Sequence, residues 1–500
     1  MARIAVIGAG MGAMAAAARL AVAGHRVAVY ERGATHGGVL GSFTRDGFAF
    51  DTGPGLLHLP AVWRDFFVKT GREALEKRVR LSPVDPAAHH VFADGTHVRL
   101  PNASRAGVVA ALDAALGEGA GERWSELLVR ARTTWDATRR PLLEEPLRQD
   151  WTAWGRDPYP ASRSRSLLGR SRRARTLAEV ARRELRDPRL VALLESHALA
   201  WGLDPRDAPA AATVLPYLEE SFGLWYPQGG MRALAAAVYG RCRERGVEFA
   251  FDTEVTGLLL KDGAVAGVEL ADGREAGAEV VVAGVDPARV ASWAGGADRL
   301  WAPADRGPVA DVPAAGRLTV FAALSGRRPE GTAHRTVVHA ADPAAEREAL
   351  FTAGRTPRPG GLTVTVLRPD DPATRPDEEH EAVTLGVAAA AGEQAGWERP
   401  ERVAEAVAEV LSVAAAAVPG LPERLLWWEA RTPAGHGPQQ RPALAGAGGR
   451  YLLPANRTRV PGLYLVGGRS HPGGGPAHAG MSGALVAGLV VNGEDWRGSQ

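Results

Sequence analysis

Short apolar runs separated by glycine-rich turns dominate the first thirty residues. Residues Arg3 to Ile7 form a β-branched run that is typical of a strand buried in a parallel sheet. Gly8 to Ala13 then lead into an alanine-rich stretch that stops at Gly24, which predicts a tight turn followed by a helix. A second apolar run, His25 to Glu31, predicts another strand. This order of elements predicts a βαβ unit.

Beyond the first thirty residues, the pattern of apolar and polar positions predicts both helices and strands. Residues 71–222 look mainly helical, whereas residues 291–446 combine apolar strand patterns with one long amphipathic helix. Val247 to Asp286 alternates strand patterns with Asp-Gly turn signals, which predicts a small antiparallel unit. Leu463 to Val466 predicts a buried parallel strand that runs into a glycine-rich segment.

Composition narrows the range of functions. A chain of 500 residues predicts two domains or one large composite domain, and the hydrophobic fraction of 45% is ordinary for a globular protein. The net charge of +2 gives no indication of a nucleic-acid partner. The single cysteine, Cys242, rules out a disulfide framework, and the 13 histidines lack the spacing of metal ligands, so no metal site is expected. No signal peptide or membrane-spanning run is visible, which predicts a cytoplasmic protein, or one that associates with a membrane surface.

The first glycine turn has the chemistry of a dinucleotide site. Gly8 permits the turn, Gly10 lets backbone N–H groups approach a pyrophosphate, and Ala13 allows close packing of helix and strand. Glu31 follows about twenty residues later, where a carboxylate accepts hydrogen bonds from a ribose. Further glycines in the next loops, from Gly37 to Gly55, favour the larger, extended FAD over NAD.

Three stretches carry a family resemblance. They are Glu31 with Gly37-Gly38 and Asp51 to Pro54, then Tyr217 to Leu234 with its WYPQGGM segment, and Pro454 to Gly474 near the end. Together they resemble the phytoene desaturase family within the amine oxidase-like flavoproteins, over essentially the whole chain. The chain departs from that family's pattern at Val39, Gly55 and Gly468.

The resemblance implies an α/β fold with two domains. A Rossmann-like FAD-binding domain would be assembled from residues 1–70, 223–290 and 447–495, and an α+β substrate-binding domain from residues 71–222 and 291–446. The FAD contacts it implies are Gly8, Gly10, Met11, Gly12, Ala13, Glu31, Arg32, Gly37, Gly38, Gly53, Pro54, Val255, Gly467, Gly468 and Met481.

Some of these contacts have more specific expected roles. The backbone of Val255 would bracket the adenine. Gly467 and Gly468 would pass beside the flavin. Met481 would begin a helix directed at the pyrimidine edge of the flavin, where the positive end of the helix favours negative charge on the reduced ring.

His471 is the candidate catalytic residue. It lies in a His-Pro-Gly segment that the resemblance places near the flavin. Its imidazole could act as a general base or could position its surroundings through hydrogen bonds, and the sequence leaves both roles open. His478 is a second histidine that could approach the substrate.

The function predicted is FAD-dependent oxidation of a long apolar polyene or isoprenoid, with flavin N5 accepting a hydride. One alternative is a polyene-modifying or cyclising enzyme of secondary metabolism, of the polycyclic tetramate type. Another is a non-catalytic lipid carrier of the GDP-dissociation-inhibitor kind, and a third is an oxidase of polar amines. The fold alone does not separate these functions.

Two charged segments allow further interpretations. The arginine-rich segment Ser162 to Leu185 is either a solvated basic face or a contact with an anionic membrane surface. Arg368 to Glu381 has the composition of an exposed loop. The sequence predicts no particular oligomeric state.

Overall fold

A computed structural model describes residues 1–147, 151–161, 173–301, 312, 314–352, 361–392, 395–434 and 439–498. Strands and helices are numbered separately in chain order. The strands are β1 Arg3–Ile7, β2 Arg26–Tyr30, β3 Ser42–Arg45, β4 Phe48–Asp51, β5 Leu81–Pro83, β6 Ala88–Val91, β7 His97–Leu100, β8 Trp225–Pro227, β9 Glu248–Ala250, β10 Val255–Lys261, β11 Ala264–Leu270, β12 Glu275–Gly277, β13 Val280–Ala283, β14 Gly316–Ser325, β15 Arg335–Val338, β16 Val364–Leu367, β17 His380–Ala389, β18 Leu425–Arg431 and β19 Leu463–Leu465. The helices are α1 Met11–Val22, α2 Ala61–Gly71, α3 Arg105–Leu116, α4 Ala120–Arg139, α5 Leu177–Val180, α6 Pro188–Leu199, α7 Val214–Phe222, α8 Met231–Glu244, α9 Pro287–Trp293, α10 Ala297–Leu300, α11 Pro343–Phe351, α12 Pro400–Ala414, α13 Leu421–Arg424 and α14 Pro476–Asn492.

A parallel five-stranded sheet in the order β19-β13-β1-β2-β9 forms the centre of the nucleotide-binding half. Its neighbouring strands all run in the same direction. These strands come from the beginning, the middle and the end of the chain. The predicted strands at Arg3–Ile7 and Leu463–Leu465 are confirmed, and so is the α/β fold class. The domain boundaries drawn from the sequence stay a prediction.

Helix α1 is buried between this sheet and two other helices. It packs on α14 and α8, and most of its residues are alanine or glycine. A Cβ atom placed on Gly483 of α14 would lie 2.5 Å from the carbonyl oxygen of Gly12 and 2.7 Å from the Cβ of Ala15. Small residues are therefore needed where α1 and α14 touch, because larger side chains would separate the two helices.

The segment predicted as a small antiparallel unit divides between two sheets. Strands β10, β11 and β12 pair antiparallel, as expected. However, β9 and β13, at the two ends of Val247 to Asp286, join the parallel sheet. The local strand pattern is the same in both cases, and only the partner strand decides the direction of pairing.

A seven-stranded sheet in the order β18-β14-β17-β16-β15-β6-β7 forms the centre of the other half of the molecule, outside the nucleotide-binding half. One face of it packs on α12, and residues at the β6–β7 end of its other face join the core of α3, α4, α6 and α7. Strands β6 and β7 come from residues 71–222, which the sequence predicted to be mainly helical. That expectation misses this hairpin, since four-residue strands leave too short a periodic pattern.

The arginine-rich segment is described only in part, and that part agrees with the solvated basic face, since Arg183 Nη2 lies 3.1 Å from Glu179 Oε2. In the arginine-rich segment, residues 162–172 lie outside the described residues, and the apolar side chains of Leu177, Val180 and Leu185 are buried in the helical core. The described part of this segment therefore does not offer these side chains to a membrane.

None of the helices in the described ranges is long and apolar enough to cross a bilayer.

The expectation of an exposed loop at Arg368 to Glu381 is wrong at both ends of the segment. Arg368 and Glu381 form a buried two-pronged ion pair, with Nε–Oε1 at 2.6 Å and Nη2–Oε2 at 2.8 Å. Asp371 is also buried and accepts hydrogen bonds from the Tyr226 hydroxyl at 3.0 Å and the Gly229 N–H at 2.7 Å. Composition alone indicates exposure, but paired charges and satisfied carboxylates can be buried.

Candidate functional site

The first glycine turn leaves the N-terminus of α1 open. Gly8 has φ +88°, in the region that favours glycine. Gly10 precedes the helix without a side-chain cap, the first turn holds no acidic residue, and a Cβ on Gly10 would meet nothing within 4 Å. The partial positive charge and free N–H groups of this turn are therefore available to an anion such as a pyrophosphate.

Glu31 is held against the same turn. Its Oε2 accepts a hydrogen bond from the Ala9 N–H at 2.7 Å, and its Oε1 accepts one from the Gly33 N–H at 2.8 Å. Each carboxylate oxygen has a second lone pair, so Glu31 can still accept hydrogen bonds from a ligand. This is the arrangement that recognition of a ribose requires.

The second glycine pair lies directly on the first turn. The Gly37 N–H donates to the Ala9 carbonyl at 2.8 Å, and a Cβ on Gly38 would lie 3.0 Å from the Gly10 Cα. Arg232 holds this loop from the other side, donating to the His36 carbonyl and, at 2.7 Å, to the Thr35 hydroxyl.

Asp51 positions α8, a role that the sequence did not assign to it, although Asp51 belongs to the first stretch of the family resemblance. Its carboxylate accepts hydrogen bonds from the Met231 N–H at 2.6 Å and the Arg232 N–H at 3.0 Å, which caps the start of the helix. A Cβ on Gly230 would lie 2.5 Å from Asp51 Oδ2. Burial raises the pKa of Asp51 to about 6, although these N–H groups and Arg232 oppose the shift. In the sequence, the Gly-Gly pair before Met231 was the one indication that another group approaches the start of α8 closely.

The C-terminal glycine segment, which follows β19, packs against the first glycine turn. A Cβ on Gly12 would lie 2.8 Å from the Gly467 Cα, and Gly467 itself, with φ +102°, has no atom within 4 Å of its Cβ position. The Gly467 N–H donates to Ser482 Oγ at 2.9 Å. Asn456 Nδ2 ties the segment together by donating to the His471 carbonyl at 2.7 Å and to Ser482 Oγ at 3.1 Å. The structure thus brings Gly10, Gly12, Gly37, Gly38 and Gly467 together.

The role expected for Met481 is corrected. The sequence suggested that Met481 begins the last helix, but α14 begins at Pro476 after Gly475. Met481 therefore lies inside the helix, its backbone N–H is not one of the free groups of the first turn, and its side chain packs on the helical core. Gly468 is covered as well, because a Cβ there would collide with the Gln440 side chain.

The remaining predicted contacts are more scattered. Met11 and Ala13 are buried in α1, and Val255 is buried at the start of β10. A Cβ on Gly53 would collide with the backbone of Val39, which explains the glycine by backbone packing. Arg32 and Pro54 are exposed.

His471 is buried and neutral. Its Nε2 lies 2.9 Å from the Glu145 carbonyl oxygen, which can only accept, so Nε2 carries the proton and Nδ1 is unprotonated. Burial lowers the pKa of His471 to about 4, although the bond to Glu145 opposes this shift. Among the described residues, Nδ1 of His471 has no hydrogen-bond partner.

An apolar pocket lies next to this segment. Side chains of α4, α7 and the 442–445 loop surround it, and His478 of α14 is its one histidine. Its lining residues are Trp135, Thr138, Leu142, Leu143, Ala211, Val214, Leu215, Leu218, Pro442, Ala443, Leu444, Ala445 and His478. The lining suits an apolar group, but the cavity of about 30 Å³ has room for only part of a long chain.

A polar cluster between the second sheet and the helices was not anticipated. Arg335 of β15 pairs with both oxygens of Glu219 on α7, and His90 Nδ1 lies 2.9 Å from His339 Nε2. In the described part of the chain, no group of three or more His, Cys, Asp or Glu side chains could hold a metal.

The residues that are present suit a flavin dinucleotide. The open Cβ positions at Gly10 and Gly467 mark a cleft that a side chain would fill, the turn of α1 offers N–H groups, and Glu31 faces that turn.

Comparisons with known proteins agree. The family model described as flavin containing amine oxidoreductase matches residues 14–491. A 4,4'-diapolycopene oxygenase from Methylomonas is 30% identical over 57% of this chain and 56% of its own length, so that match spans about half of the relative. A hydroxyneurosporene desaturase from Rhodobacter capsulatus is 28% identical over 97% of this chain and 96% of its own.

A similar fold occurs in an oxidoreductase from Methanosarcina mazei, with a TM-score of 0.64 at 18% identity, over 97% of this chain and 99% of the other. Together with the site geometry, these matches show that the chain belongs to the flavin containing amine oxidoreductase family and is a phytoene desaturase-like, flavin-dependent oxidoreductase.

Proposed function

We propose that this protein uses FAD to oxidise a long apolar polyene or isoprenoid at a carbon–carbon bond. The observation that carries this proposal is the meeting of three glycine-rich segments beside an apolar pocket, since oxidation of a hydrocarbon needs a tightly held flavin and a dry, apolar chain site. The names of the relatives, which include several carotenoid desaturases, support this substrate class.

FAD is proposed over a smaller flavin because the chain provides for the whole dinucleotide. The N–H groups at the start of α1 would hold the pyrophosphate, and Glu31 would bind the ribose of the adenosine half. When bound, FAD supplies the hydride acceptor. Leu215, Leu218 and Leu444 would hold the substrate chain and exclude water from it.

We assign His471 a positioning role among the two that the sequence left open. Its Nε2–H bond to the Glu145 carbonyl and the bond from Asn456 to its own carbonyl fix the loop that carries Gly467. A neutral imidazole buried in this way supports the geometry of the site, and the proton lost with the hydride would leave to water outside the apolar lining.

The carrier alternative predicts a different protein. A lipid carrier needs no flavin, whereas the intact glycines and Glu31 favour a bound dinucleotide. The purified protein should be yellow with an absorption band in the blue. A colourless protein that does not take up added FAD would support the carrier instead.

The activity itself is tested by anaerobic mixing with phytoene and, separately, with a polyene tetramate. We expect one of them to bleach the flavin band and to lose two hydrogens, detected as a mass decrease of about 2 Da. A polar amine serves as the control and should leave the band unchanged. Bleaching by the amine alone would contradict the proposal.

A further inference from the structure

One strand of the seven-stranded sheet carries an arginine, Arg317, that protein atoms enclose on most sides although part of its surface stays exposed. Arg317, Thr319 and Phe321 alternate along β14 and so share one face of the sheet, opposite the face that packs on α12. Further along that face, Phe321 packs on Phe48 and Phe50 of the β3–β4 hairpin, which belongs to the nucleotide-binding half. Arg317 therefore belongs to the sheet face that is turned toward the flavin-binding part of the molecule.

The guanidinium of Arg317 lies across the neighbouring strand. A Cβ placed on Gly386 of β17 would collide with it, so a larger residue there would displace the guanidinium. By strand register, the neighbouring positions on this face are Ala388, Gly386 and Thr365 on one side, and Thr319 with Arg431 of β18 opposite it on the other. The guanidinium therefore lies over short residues of β17 and β16, and the charged residue that the register places opposite Thr319 is a cation as well.

Arg317 has no counter-charge within the described ranges. No hydrogen bond or ion pair joins it to another described residue, and burial alone lowers its pKa, without a contribution from any charged neighbour. Other arginines of this sheet region behave differently: Arg335 pairs with Glu219, and Arg368 pairs with Glu381.

An unpaired, largely enclosed cation is costly, because desolvation is not offset by a partner. Arginine cannot avoid this cost by losing its proton, and its planar fork of N–H donors is suited to two oxygens of one anion. An arginine retained in this state indicates that its partner comes from outside the chain.

The strand that carries Arg317 is linked to the flavin cleft. The Ala315 carbonyl, just before β14, accepts a hydrogen bond from the Gln439 N–H at 3.4 Å. The next residue, Gln440, covers Gly468 and would lie 2.6 Å from a Cβ on Gly474. The segment Gln439 to Arg441 therefore connects the start of β14 with the C-terminal glycine segment.

We propose that Arg317 binds an anionic oxygen group, a carboxylate or an acidic enol, at one end of the polyene substrate. This inference rests on the proposed function and narrows its substrate class to polyenes with one acidic end. The rest of the chain would lie along the apolar lining. The anion is assigned to the substrate, because the pyrophosphate already has its site at the start of α1.

The test compares all-trans-retinoic acid with its methyl ester, which have the same polyene chain but differ in charge. Each is titrated into the flavin-loaded protein, and binding is followed by the change in flavin absorbance. We expect the acid to bind about 10- to 100-fold more tightly, the range of one charge-assisted hydrogen-bonded pair. Arg317→Met should remove this preference without weakening the ester, and Arg317→Lys should retain part of it.

Two further variants separate recognition from folding. Gly386→Ala should lower the affinity for the acid only, because the added methyl group displaces the guanidinium. Arg327→Met, at an exposed arginine beyond the end of β14, is the control and should change neither affinity. Arg317→Met should also keep or raise the Tm of the ligand-free protein, since it removes an unpaired, largely enclosed charge; a structural arginine would lower it.

The results that overturn the inference are distinct from those that overturn the function. Equal binding of acid and ester by the unmodified protein, or equal weakening of both by Arg317→Met, would overturn it. A changed flavin reduction potential in Arg317→Met, with the preference for the acid intact, would assign Arg317 to the flavin and also overturn it. If neither phytoene nor the polyene tetramate bleaches the flavin, the proposed function fails, whatever the binding data show.

Discussion

Two carboxylates, one directly after β2 and one at the end of β4, organise the cofactor end of the molecule. Glu31 accepts backbone N–H bonds from Ala9 and Gly33, and Asp51 accepts them from Met231 and Arg232. A carboxylate bound by backbone N–H groups is both neutralised and oriented, so these side chains fix the loops around the first glycine turn. Glu31 could be predicted from its spacing after the glycines. The capping role of Asp51 could not be predicted, because the helix that it caps begins 180 residues later in the chain.

At the residue scale, Glu31→Gln tests the ribose assignment. The amide retains one acceptor but places an NH2 group near the N–H of Ala9 or Gly33, so we expect FAD affinity to fall about 10- to 100-fold. The ratio of flavin to protein after gel filtration and a calorimetric titration with FAD measure this loss.

The matched control is Glu248→Gln on the exposed side of β9, which should bind FAD like the unmodified protein. Unchanged FAD affinity in Glu31→Gln would show that the ribose is bound elsewhere.

The helices around the parallel sheet show what an element needs beyond its own sequence. The alanine-rich pattern predicts α1 correctly, and its boundaries in the structure, Met11–Val22, agree with the glycines on either side. The start of α14 was placed too late, since Pro476 at its first turn was read as part of the glycine segment. Why both helices need small residues is visible only when they are packed together.

At the element scale, Gly483→Ala tests the contact between α1 and α14. Alanine favours a helix over glycine by about 0.5–1 kcal/mol, but its Cβ would overlap the Gly12 carbonyl, and overpacking costs about 1–3 kcal/mol. We therefore expect a net loss in the free energy of unfolding, measured by urea denaturation.

Gly240→Ala in α8 is the control, because a Cβ there meets nothing within 4 Å. It should stabilise the protein by about 0.5–1 kcal/mol. If both variants are equally stable, α1 and α14 are not in close contact in solution.

Two kinds of titratable group, histidines and carboxyl groups, are buried in this protein. Burial lowers the pKa of His90, His339 and His471, all fully buried. Burial also raises the pKa of Glu346 to about 7 and that of Glu220 to about 8. When the pH falls, the histidines make the folded state less stable relative to the unfolded state, while the carboxyls act in the opposite direction. The pH dependence of the whole protein is therefore a sum of opposing contributions, and a variant is needed to isolate one of them.

At this scale, His471→Asn isolates one histidine. In the unfolded chain His471 takes up a proton near its ordinary pKa of 6.5, but in the folded protein only near pH 4. Its contribution to stability is thus complete above pH 6.5 and is lost as the pH falls toward 4, by about 1.4 kcal/mol per pH unit. The destabilisation caused by His471→Asn should therefore shrink by about 2 kcal/mol between pH 6.5 and 4.5, as measured by urea denaturation.

Val491→Ala, at an exposed and non-titrating position of α14, should show no such trend and is the control. A pH-independent cost for His471→Asn would mean that His471 is already protonated in the folded protein near pH 6.5.

The sequence by itself determined the features that depend on neighbours in the chain. The βαβ order, the glycine turn with Glu31 and the strand at Leu463–Leu465 follow from local periodicity and from backbone positions that only glycine suits. The tertiary structure alone decided which strands pair in parallel, that Asp51 caps α8, and that Arg317 lies on the inner sheet face without a counter-charge. Burial and charge pairing depend on residues brought together across hundreds of positions, and a linear pattern does not record those distances.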